Sequence, residues 1–273
     1  MKTLFATDFD GTLFRSDGSI SSIDLDALSE LRLQGAITVL ATGRSPFSLN
    51  RALGGIRLPF DWQILSSGVG IVRETGEVEK SFGLCGSQVE EVRFFLDSQG
   101  FDYSLQGPFP DSHILYHGTR VPHPDHFRRQ SYYSGYTRPL SAFAGSASQF
   151  VVYLETDGAS EAETVIRQAL GEGFQVVRTT SPLDHRTVWV EVFPPGVNKG
   201  AGLEFLAEHH GIPRSRTAAL GNDWNDAHLL ESAGTPFVVQ GSPPGLAPEA
   251  IVVSGADHHA VRNAVEIWRG MNS

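Results

Sequence analysis

Four short apolar runs are spaced along the chain, and each of them ends in polar residues. The runs cover residues 4–7, 36–41, 217–220 and 237–239. Their apolar positions are continuous rather than alternating, which is typical of parallel strands that are buried on both faces. The pattern therefore predicts four strands of a parallel sheet, each followed by a polar loop.

Helical patterns lie between these runs. Residues 24–34 carry apolar side chains at helical spacing and stop at Gly35, and residues 199–210 do the same before Gly211. An alternation of strands and helices predicts an α/β fold with a doubly wound, Rossmann-like parallel sheet. Such sheets bind ligands beyond the carboxyl ends of their strands, so we expect the polar loops to meet at one edge.

The middle of the chain has a different pattern. Two capping-box patterns predict helices over residues 87–99 and 160–170, each followed by a glycine. Strand-like runs surround them, over residues 103–106, 113–116, 150–154, 174–178 and 188–193. We interpret residues 82–193 as an α+β cap domain that is inserted between the two halves of a core domain, residues 1–81 and 194–273.

A group of histidines in this middle segment raises the question of a metal site. Its members are His113, His117, His123 and His126. Their spacings fit no tight set of metal ligands, and Pro122 and Pro124 indicate a loop. We therefore expect solvated loop histidines rather than a metal centre.

The composition narrows the functional classes. The chain has 273 residues and a net charge of -10 at pH 7, which argues against a nucleic-acid or anionic-membrane surface. Its one cysteine, Cys85, excludes an internal disulfide framework and a cysteine-based zinc site, and we expect it to be a small apolar filler. The first residues show no signal-peptide pattern, and no apolar run is long enough to span a bilayer. We expect a cytoplasmic protein whose partner is a small molecule.

The most informative loop follows the first apolar run. Asp8 and Asp10 stand one residue apart at the end of a buried strand, so they share one side of the backbone. Gly11 permits a sharp turn, and the hydroxyl of Thr12 can hold it. In such a pair, one carboxylate can attack and hold a metal while its neighbour handles a proton. The alternative interpretation is an acidic turn that merely ends a strand.

The other loops supply chemistry that this pair lacks. Thr42 and Gly43 offer a hydroxyl and an unobstructed backbone N–H to a phosphate oxygen. Lys199, in the first turn of a predicted helix, would place a positive charge beside a bound anion. Residues 222–226 are rich in the oxygen donors that suit Mg²⁺. Viewed alone, each loop has an ordinary explanation: a plain turn at residues 42–43, an unremarkable helix lysine at Lys199, and a helix cap at residues 222–226. Together with the acidic turn at Asp8, these explanations would require four coincidences at one edge of the sheet.

In order along the chain, residues 8–13, 42–44, 198–200 and 221–226 resemble the four motifs of the haloacid dehalogenase superfamily. The insertion between the second and third motifs is similar to the cap of its Cof-type subclass, subclass IIB. Residues 190–200 resemble that subclass's return from cap to core, so the resemblance covers nearly the whole chain. It implies a phosphohydrolase whose cap closes over a Rossmann-like core and selects the substrate.

The resemblance also implies roles for individual residues. Asp8 would attack phosphorus and form an aspartyl-phosphate, and Asp10 would protonate the leaving group and then deprotonate water. The residues implied to bind phosphate or substrate are Thr12, Thr42, Gly43, Arg44, Lys199 and Asn225. The residues implied to hold Mg²⁺ are Asp8, Asp10 through its backbone carbonyl, Asn222, Asp223 and Asp226.

Two positions depart from the family pattern. The fourth motif normally begins Gly-Asp, and that aspartate binds the metal, but here the second residue is Asn222. An amide oxygen can ligate Mg²⁺ without contributing charge, so we hypothesise that Asn222 is a ligand and Asp223 a supporting charge. Residues 66–68 read Ser-Ser-Gly where relatives often carry Asn-Gly, and Ser67 is a weaker candidate for substrate contact.

Three functions fit the motifs. The first is a Mg²⁺-dependent phosphatase for a small phosphorylated metabolite, with a sugar phosphate as the expected class. A phosphomutase of the phosphomannomutase type shares the nucleophile and a similar cap, and a degenerate member would bind phosphorylated ligands without turnover. Candidates for substrate selection, by their location in the cap alone, are Tyr116, Arg120, Arg178, His185 and Trp189.

Overall fold

The structure, a computed structural model, describes residues 2–118, 122–181, 183–184 and 186–271. The density of internal contacts divides the chain into two units. The first comprises Met1–Arg44, Leu49–Lys80 and Asn198–Ser273, and the second comprises Ser45–Ser48 and Ser81–Val197. The domain ranges proposed from the sequence stay a prediction.

Fourteen strands and eight α-helices form within the described residues. The strands are β1 (Leu4–Asp8), β2 (Ile37–Ala41), β3 (Trp62–Leu65), β4 (Gly70–Arg73), β5 (Val78–Ser81), β6 (Asp102–Gln106), β7 (Leu115–His117), β8 (Thr137–Pro139), β9 (Gln149–Leu154), β10 (Gln175–Thr180), β11 (Val188–Phe193), β12 (Thr217–Gly221), β13 (Thr235–Val239) and β14 (Ile251–Val253). The helices are α1 (Ser22–Leu33), α2 (Pro46–Leu53), α3 (Gly86–Gln99), α4 (Pro124–Tyr132), α5 (Ala159–Leu170), α6 (Lys199–His209), α7 (Ala227–Ser232) and α8 (Ala260–Met271). In the described part of the chain, no helix combines the length and apolar character that a membrane crossing requires.

The first unit is built on a sheet whose described strands are ordered β14-β13-β12-β1-β2-β3-β4-β5. The strands from β14 to β3 are parallel, and β4 runs antiparallel to β3. Leu4 of β1 packs in one apolar cluster with Leu203 of α6 and Leu229 of α7. The next residue, Phe5, points to the opposite face and contacts Trp268 of α8, with ring centroids 5.5 Å apart. Helices cover both faces of the sheet, which confirms the predicted doubly wound α/β fold.

The register of the central strands brings the motif loops to one edge of this sheet. β1 lies between β12 and β2, and Asp8 is the register partner of Ala41 in β2. The residues that follow the two neighbouring strands therefore begin on either side of Asp8. This carboxyl edge is where open α/β sheets bind their ligands.

The second unit contains a sheet whose described strands are ordered β10-β11-β9-β6-β7-β8. Neighbouring strands are antiparallel except for β7 and β8, which are parallel. One face packs against α3 and α5 through an apolar cluster that includes Val92 and Ile166. On the other face, the ring of Tyr153 in β9 stacks against His126 of α4, with centroids 4.6 Å apart.

The segment that contains α4 differs from the loop that the sequence predicts. The helix begins at Pro124, and its N-cap is His123, whose Nδ1 accepts a hydrogen bond from the N–H of Asp125. Proline suits the first turn of a helix because its missing N–H would have no intrahelical partner there. His126 is 2% exposed, and its Nδ1 lies 2.8 Å from Oδ1 of Asp102. The prediction of solvated loop histidines is therefore wrong for His126.

Cys85 is also not the apolar filler that the sequence predicts. It is exposed and stands at the N-cap of α3. Its backbone N–H donates to Oε1 of Gln88 at 3.0 Å, a local contact of the kind that completes the start of a helix. The neighbouring Leu84 is fully buried instead. Cys85 is therefore exposed at the start of a helix, although the apolar character of its side chain predicts burial.

Candidate active site

The loop after β1 folds into a tight turn. The carbonyl of Phe9 accepts a hydrogen bond from the N–H of Phe14 at 2.7 Å. Gly11 has a φ of 75°, in the left-handed region that glycine enters without strain. A Cβ atom on Gly11 would lie 2.6 Å from Nδ2 of Asn222, so glycine also allows the fourth motif to approach this turn. The first and fourth motifs are thereby brought into contact.

A buried lysine joins two carboxylates at the same edge. Nζ of Lys199 donates to Oδ1 of Asp8 and to Oδ1 of Asp226, both at 2.7 Å. Asp8 is 4% exposed, Lys199 1% and Asp226 0%. Burial raises the pKa of Asp8 to about 8, with a further contribution from Asp226, although Lys199 acts in the opposite direction. Burial lowers the pKa of Lys199, but the charges of Asp226 and Asp8 outweigh it, so the pKa is raised and the lysine keeps its charge.

Asp226 is held in place from several sides. Its Oδ2 accepts hydrogen bonds from the N–H groups of Asn222 and Asp223, at 2.8 and 3.2 Å, while Oδ1 faces the lysine. Gly221 makes room for this arrangement, because a Cβ atom there would lie 2.5 Å from Cβ of Asp226. In this structure, Asp226 therefore holds the lysine and the backbone of the fourth motif.

The second aspartate of the turn has a different cation. Nε of Arg44 donates to Oδ2 of Asp10 at 2.8 Å, and Nη2 donates to Oδ1 at 2.7 Å. Two parallel bonds of this kind fix both the distance and the orientation of a carboxylate. Arg44, which the family resemblance implies as a phosphate or substrate residue, thus contacts the proposed proton-transfer group in this structure.

The loop after β2 lies beside two other loops. A Cβ atom on Gly43 would lie 3.3 Å from Oγ of Ser67 and 3.9 Å from Nδ2 of Asn225. The N–H of Ser67 donates to the carbonyl of Thr42 at 3.0 Å. The structure therefore brings together Thr42, Gly43 and Asn225, all three predicted from the motifs, and places beside them Ser67, the weaker candidate for substrate contact.

Ser67 is the residue that the motifs do not single out. Ser66 and Ser67 have φ values of 48° and 55°, a left-handed conformation that is uncommon for residues other than glycine, asparagine and aspartate. Such strain is characteristic of functional sites and persists only where the surroundings determine it. The signal in the sequence is the Ser-Ser-Gly triplet itself, because it stands where relatives often carry an asparagine, which tolerates this conformation.

The oxygen donors near Asp8 fit a hard divalent cation. Oδ1 of Asn222 accepts a hydrogen bond from the hydroxyl of Thr12 at 3.1 Å, next to the turn that carries Asp8. The ligands that the family resemblance implies include the Asp8 carboxylate, the Asn222 amide oxygen and the backbone carbonyl of Asp10, and Mg²⁺ takes oxygen ligands of these kinds. Within the described residues, no three His, Cys, Asp or Glu side chains form a group that could hold a metal. A metal here would therefore depend on amide and backbone oxygens.

The sequence suggests five cap residues for substrate selection by their location alone. Three of them contact other residues of the second unit. Nε1 of Trp189 donates to Oδ2 of Asp125 at 2.6 Å, Nη1 of Arg178 lies 3.3 Å from Oε2 of Glu163, and the ring of Tyr116 contacts that of Phe143. The other two, Arg120 and His185, lie outside the described residues. Their role in substrate selection stays a prediction.

Comparison with known proteins identifies the family. The sequence model of the haloacid dehalogenase-like hydrolases matches residues 5–264. The chain belongs to this family. The match spans all four motif loops, and it confirms the family that the sequence motifs predict.

The relatives of this hydrolase agree in fold and in enzyme class. The HMP-PP phosphatase of Escherichia coli O157:H7 is 26% identical over 275 residues, which cover 98% of this chain and 96% of the relative. A Cof-like hydrolase from Plasmodium vivax superposes with a TM-score of 0.78 at 17% identity, covering 98% of this chain and 96% of its own. A subclass IIB sugar phosphatase superposes with a TM-score of 0.75 at 17% identity, covering 98% and 99%. These comparisons confirm the predicted Cof-type fold and the predicted class, a haloacid dehalogenase-like phosphatase.

Proposed function

We propose that the chain is a Mg²⁺-dependent phosphatase that releases phosphate from a small phosphorylated metabolite through an aspartyl-phosphate on Asp8. The observation that supports this most is the buried array in which Lys199 joins Asp8 and Asp226. Two carboxylates that share one buried lysine have a surplus of negative charge when both are ionised. Such a surplus suits a site that receives a cation together with an anionic substrate.

In the first step, a carboxylate oxygen of Asp8 attacks phosphorus while the bond from phosphorus to the leaving oxygen breaks. Asp10, two residues along the same turn, supplies the proton that the leaving oxygen takes up. The hydroxyl of Thr42, the N–H of Gly43 and the ammonium group of Lys199 hold the phosphoryl oxygens, and positioning of this kind is the main contribution of a protein to phosphoryl transfer.

In the second step, a water molecule attacks phosphorus and passes a proton to Asp10. The bond between phosphorus and Asp8 breaks, the electron pair returns to the Asp8 carboxylate, and inorganic phosphate leaves. Asp10 then carries the proton that the next leaving group requires, so the cycle closes.

In this proposal, Asp8, the backbone carbonyl of Asp10 and Asn222 hold Mg²⁺, and Asp223 is a supporting charge. Bound Mg²⁺ neutralises charge on the phosphoryl oxygens and favours the ionised form of Asp8. Asp226 positions Lys199 through one oxygen and accepts from two backbone N–H groups through the other, and its role as a metal ligand stays a prediction. Since Asn222 contributes no charge, we expect weaker Mg²⁺ binding than an aspartate would give.

We propose sugar phosphates as the first substrate class to test. The likeness in fold to a subclass IIB sugar phosphatase is consistent with this class. HMP-PP is the second candidate, because a relative with this activity aligns with 98% of the chain at 26% identity.

The test is phosphate release from a panel of sugar phosphates, other small phosphate esters and HMP-PP, with Mg²⁺ and with EDTA. Asp8→Asn serves as the blank. We expect release above the blank with at least one substrate, and loss of that release in EDTA. Isomerisation of a sugar phosphate without free phosphate would indicate a phosphomutase instead. Binding without either reaction would indicate a degenerate, binding-only protein.

A further inference from the structure

Arg44 makes contacts that phosphate binding does not explain. Its Nε and Nη2 atoms donate to the two carboxylate oxygens of Asp10, at 2.8 and 2.7 Å. The Arg44 side chain is 22% exposed and that of Asp10 38%, so the pair borders solvent but is partly shielded from it. A forked contact leaves the carboxylate one orientation, whereas a single bond would allow rotation.

The guanidinium of Arg44 is itself held in place. Its central carbon lies 5.3 Å from the ring centroid of Phe9 and 5.4 Å from that of Phe14, distances at which a cation is attracted to aromatic rings. These two rings are stacked 4.8 Å apart. The backbone of Arg44 is fixed as well, because its N–H donates to Oγ1 of Thr42 at 3.1 Å and its carbonyl accepts from the N–H of Ser66 at 2.9 Å.

The two aspartates of the turn therefore have separate cations. Lys199 binds Asp8, the proposed nucleophile, and Arg44 binds Asp10, the proposed proton-transfer group. A group that transfers protons must lie within hydrogen-bond reach of the reacting atom, and small displacements of such groups are costly. A rigid arginine beside Asp10 is suited to set that position.

We propose that Arg44 is a positioning residue that holds the Asp10 carboxylate while water attacks the phosphorylated Asp8. The proposal rests on the phosphatase function proposed above. In that step the water oxygen bonds to phosphorus, one water proton moves to Asp10, and the bond from phosphorus to Asp8 breaks with its electron pair returning to Asp8. The guanidinium only donates hydrogen bonds, so it pairs with the carboxylate form of Asp10, which is the form that accepts the proton.

The test separates the two steps with p-nitrophenyl phosphate. Its leaving group needs little protonation, so formation of the phosphoenzyme depends little on Asp10, whereas the water step still requires it. In Arg44→Met, we expect a first turnover close to that of the wild type and a burst of about one p-nitrophenol per active site. The steady-state rate should then fall about 10- to 100-fold, which is part of the roughly 10²- to 10⁴-fold that positioned proton transfer contributes, and acid quenching should trap phosphorylated enzyme.

Three variants accompany this measurement. Arg44→Lys keeps the charge but not the fork, and it should recover part of the steady-state rate while leaving the fold intact. Arg51→Met removes an exposed arginine of α2 and should change neither phase. The double variant Asp10→Asn with Arg44→Met should be no slower than Asp10→Asn alone, because a positioning residue has no effect once the group that it positions is lost.

Two results would overturn the inference while leaving the phosphatase proposal intact. If the first turnover slows as much as the steady state and no burst appears, Arg44 acts on the phosphoryl group itself. If the losses in the double variant multiply, Arg44 does not act through Asp10. A wild type that releases no more phosphate than Asp8→Asn from p-nitrophenyl phosphate and from every ester of the panel above would overturn both proposals.

Discussion

Both units of the molecule bury carboxylates, but the partners that bind these carboxylates differ between the units. In the first unit, Asp8 and Asp226 share one lysine, and burial together with this crowding raises the pKa of Asp8 to about 8. In the second unit, Asp125 is 0% exposed, and the arginine beside it, Arg128, also contacts Asp184, but the Arg128 side chain is 53% exposed and that of Asp184 24%. In the first arrangement both acids and the lysine that they share are buried, whereas in the second the shared arginine and one of the two acids reach solvent.

The contacts of Asp125 show what a structural buried charge looks like. Its Oδ2 accepts hydrogen bonds from the hydroxyl of Ser181 and from Nε1 of Trp189, both at 2.6 Å, and Nη1 of Arg128 lies 3.4 Å from Oδ1. The guanidinium of Arg129 lies over the same indole, 5.0 Å from the ring centroid. Asp125 thus accepts hydrogen bonds from neutral donors, and Arg129 packs on an indole ring, so these buried polar groups have the partners that burial requires. A buried acid that competes with a second buried acid for one buried cation therefore indicates a reactive site. A buried acid that accepts its hydrogen bonds mainly from neutral donors indicates a structural role.

The largest expected effect in this comparison is that of Asp8→Asn. Loss of the nucleophile should lower phosphate release by at least about 10⁴-fold, since the residual rate depends on binding and positioning alone. The thermal midpoint should stay unchanged or rise, because Lys199 then serves a single carboxylate. Measurements of phosphate release and of thermal unfolding on the same preparation check the expected loss of activity and the expected stability. Substantial residual turnover would remove Asp8 from the chemistry.

Replacement of the shared lysine should affect both activity and stability. Lys199→Met leaves two buried carboxylates without their cation, so we expect a loss of about 3–5 kcal/mol in the free energy of unfolding. The rate should fall about 10²- to 10³-fold, as for the loss of one group that stabilises transition-state charge. The matched control adds Asp8→Asn to Lys199→Met, which should recover much of the stability and none of the activity. If the double variant is no more stable than the single one, the carboxylates do not compete for the lysine.

In the second unit the same kind of change should affect stability alone. Asp125→Ala leaves the indole N–H of Trp189 and the hydroxyl of Ser181 without their acceptor, which should cost about 2–4 kcal/mol in the free energy of unfolding. Asp125→Asn keeps one acceptor oxygen and should lose less. The kcat of each folded variant should stay within about twofold of the wild type, because its chemistry lies in the first unit. A kcat loss as large as that of Lys199→Met would end the distinction between the two clusters.

The smallest effect expected is at the amide ligand. Asn222→Asp restores the negative charge that the family pattern normally supplies, and it should lower the Mg²⁺ concentration for half-maximal activity by about tenfold, or roughly 1.4 kcal/mol. The hydroxyl of Thr12 can donate to the new carboxylate as it does to the amide oxygen. Asp223→Asn, which removes a nearby charge, is the matched control and should shift the Mg²⁺ requirement in the opposite direction. An unchanged requirement in both variants would place the metal elsewhere.

Some features of this site are readable from short stretches of sequence. The apolar runs at residues 4–7 and 217–220 predict parallel strands, and the structure shows that these two strands are parallel and pair with each other. Other features are not. The helix that begins at Pro124 is missed because proline is typical both of loops and of the first turn of a helix. The left-handed conformation of Ser67 is missed because serine has no strong preference for it, so only its surroundings impose it.

The sequence by itself determines which chemical groups stand at the ends of the central strands, and through them the family. Each motif is local, so its residues keep their order and spacing in any fold that places it at a strand end. Only the tertiary structure decides that Lys199 serves Asp8 and Asp226 while Arg44 serves Asp10. Lys199 is 191 positions from Asp8, and Arg44 is 34 from Asp10. Contacts over such separations depend on strand register and helix packing, which no short pattern of residues specifies.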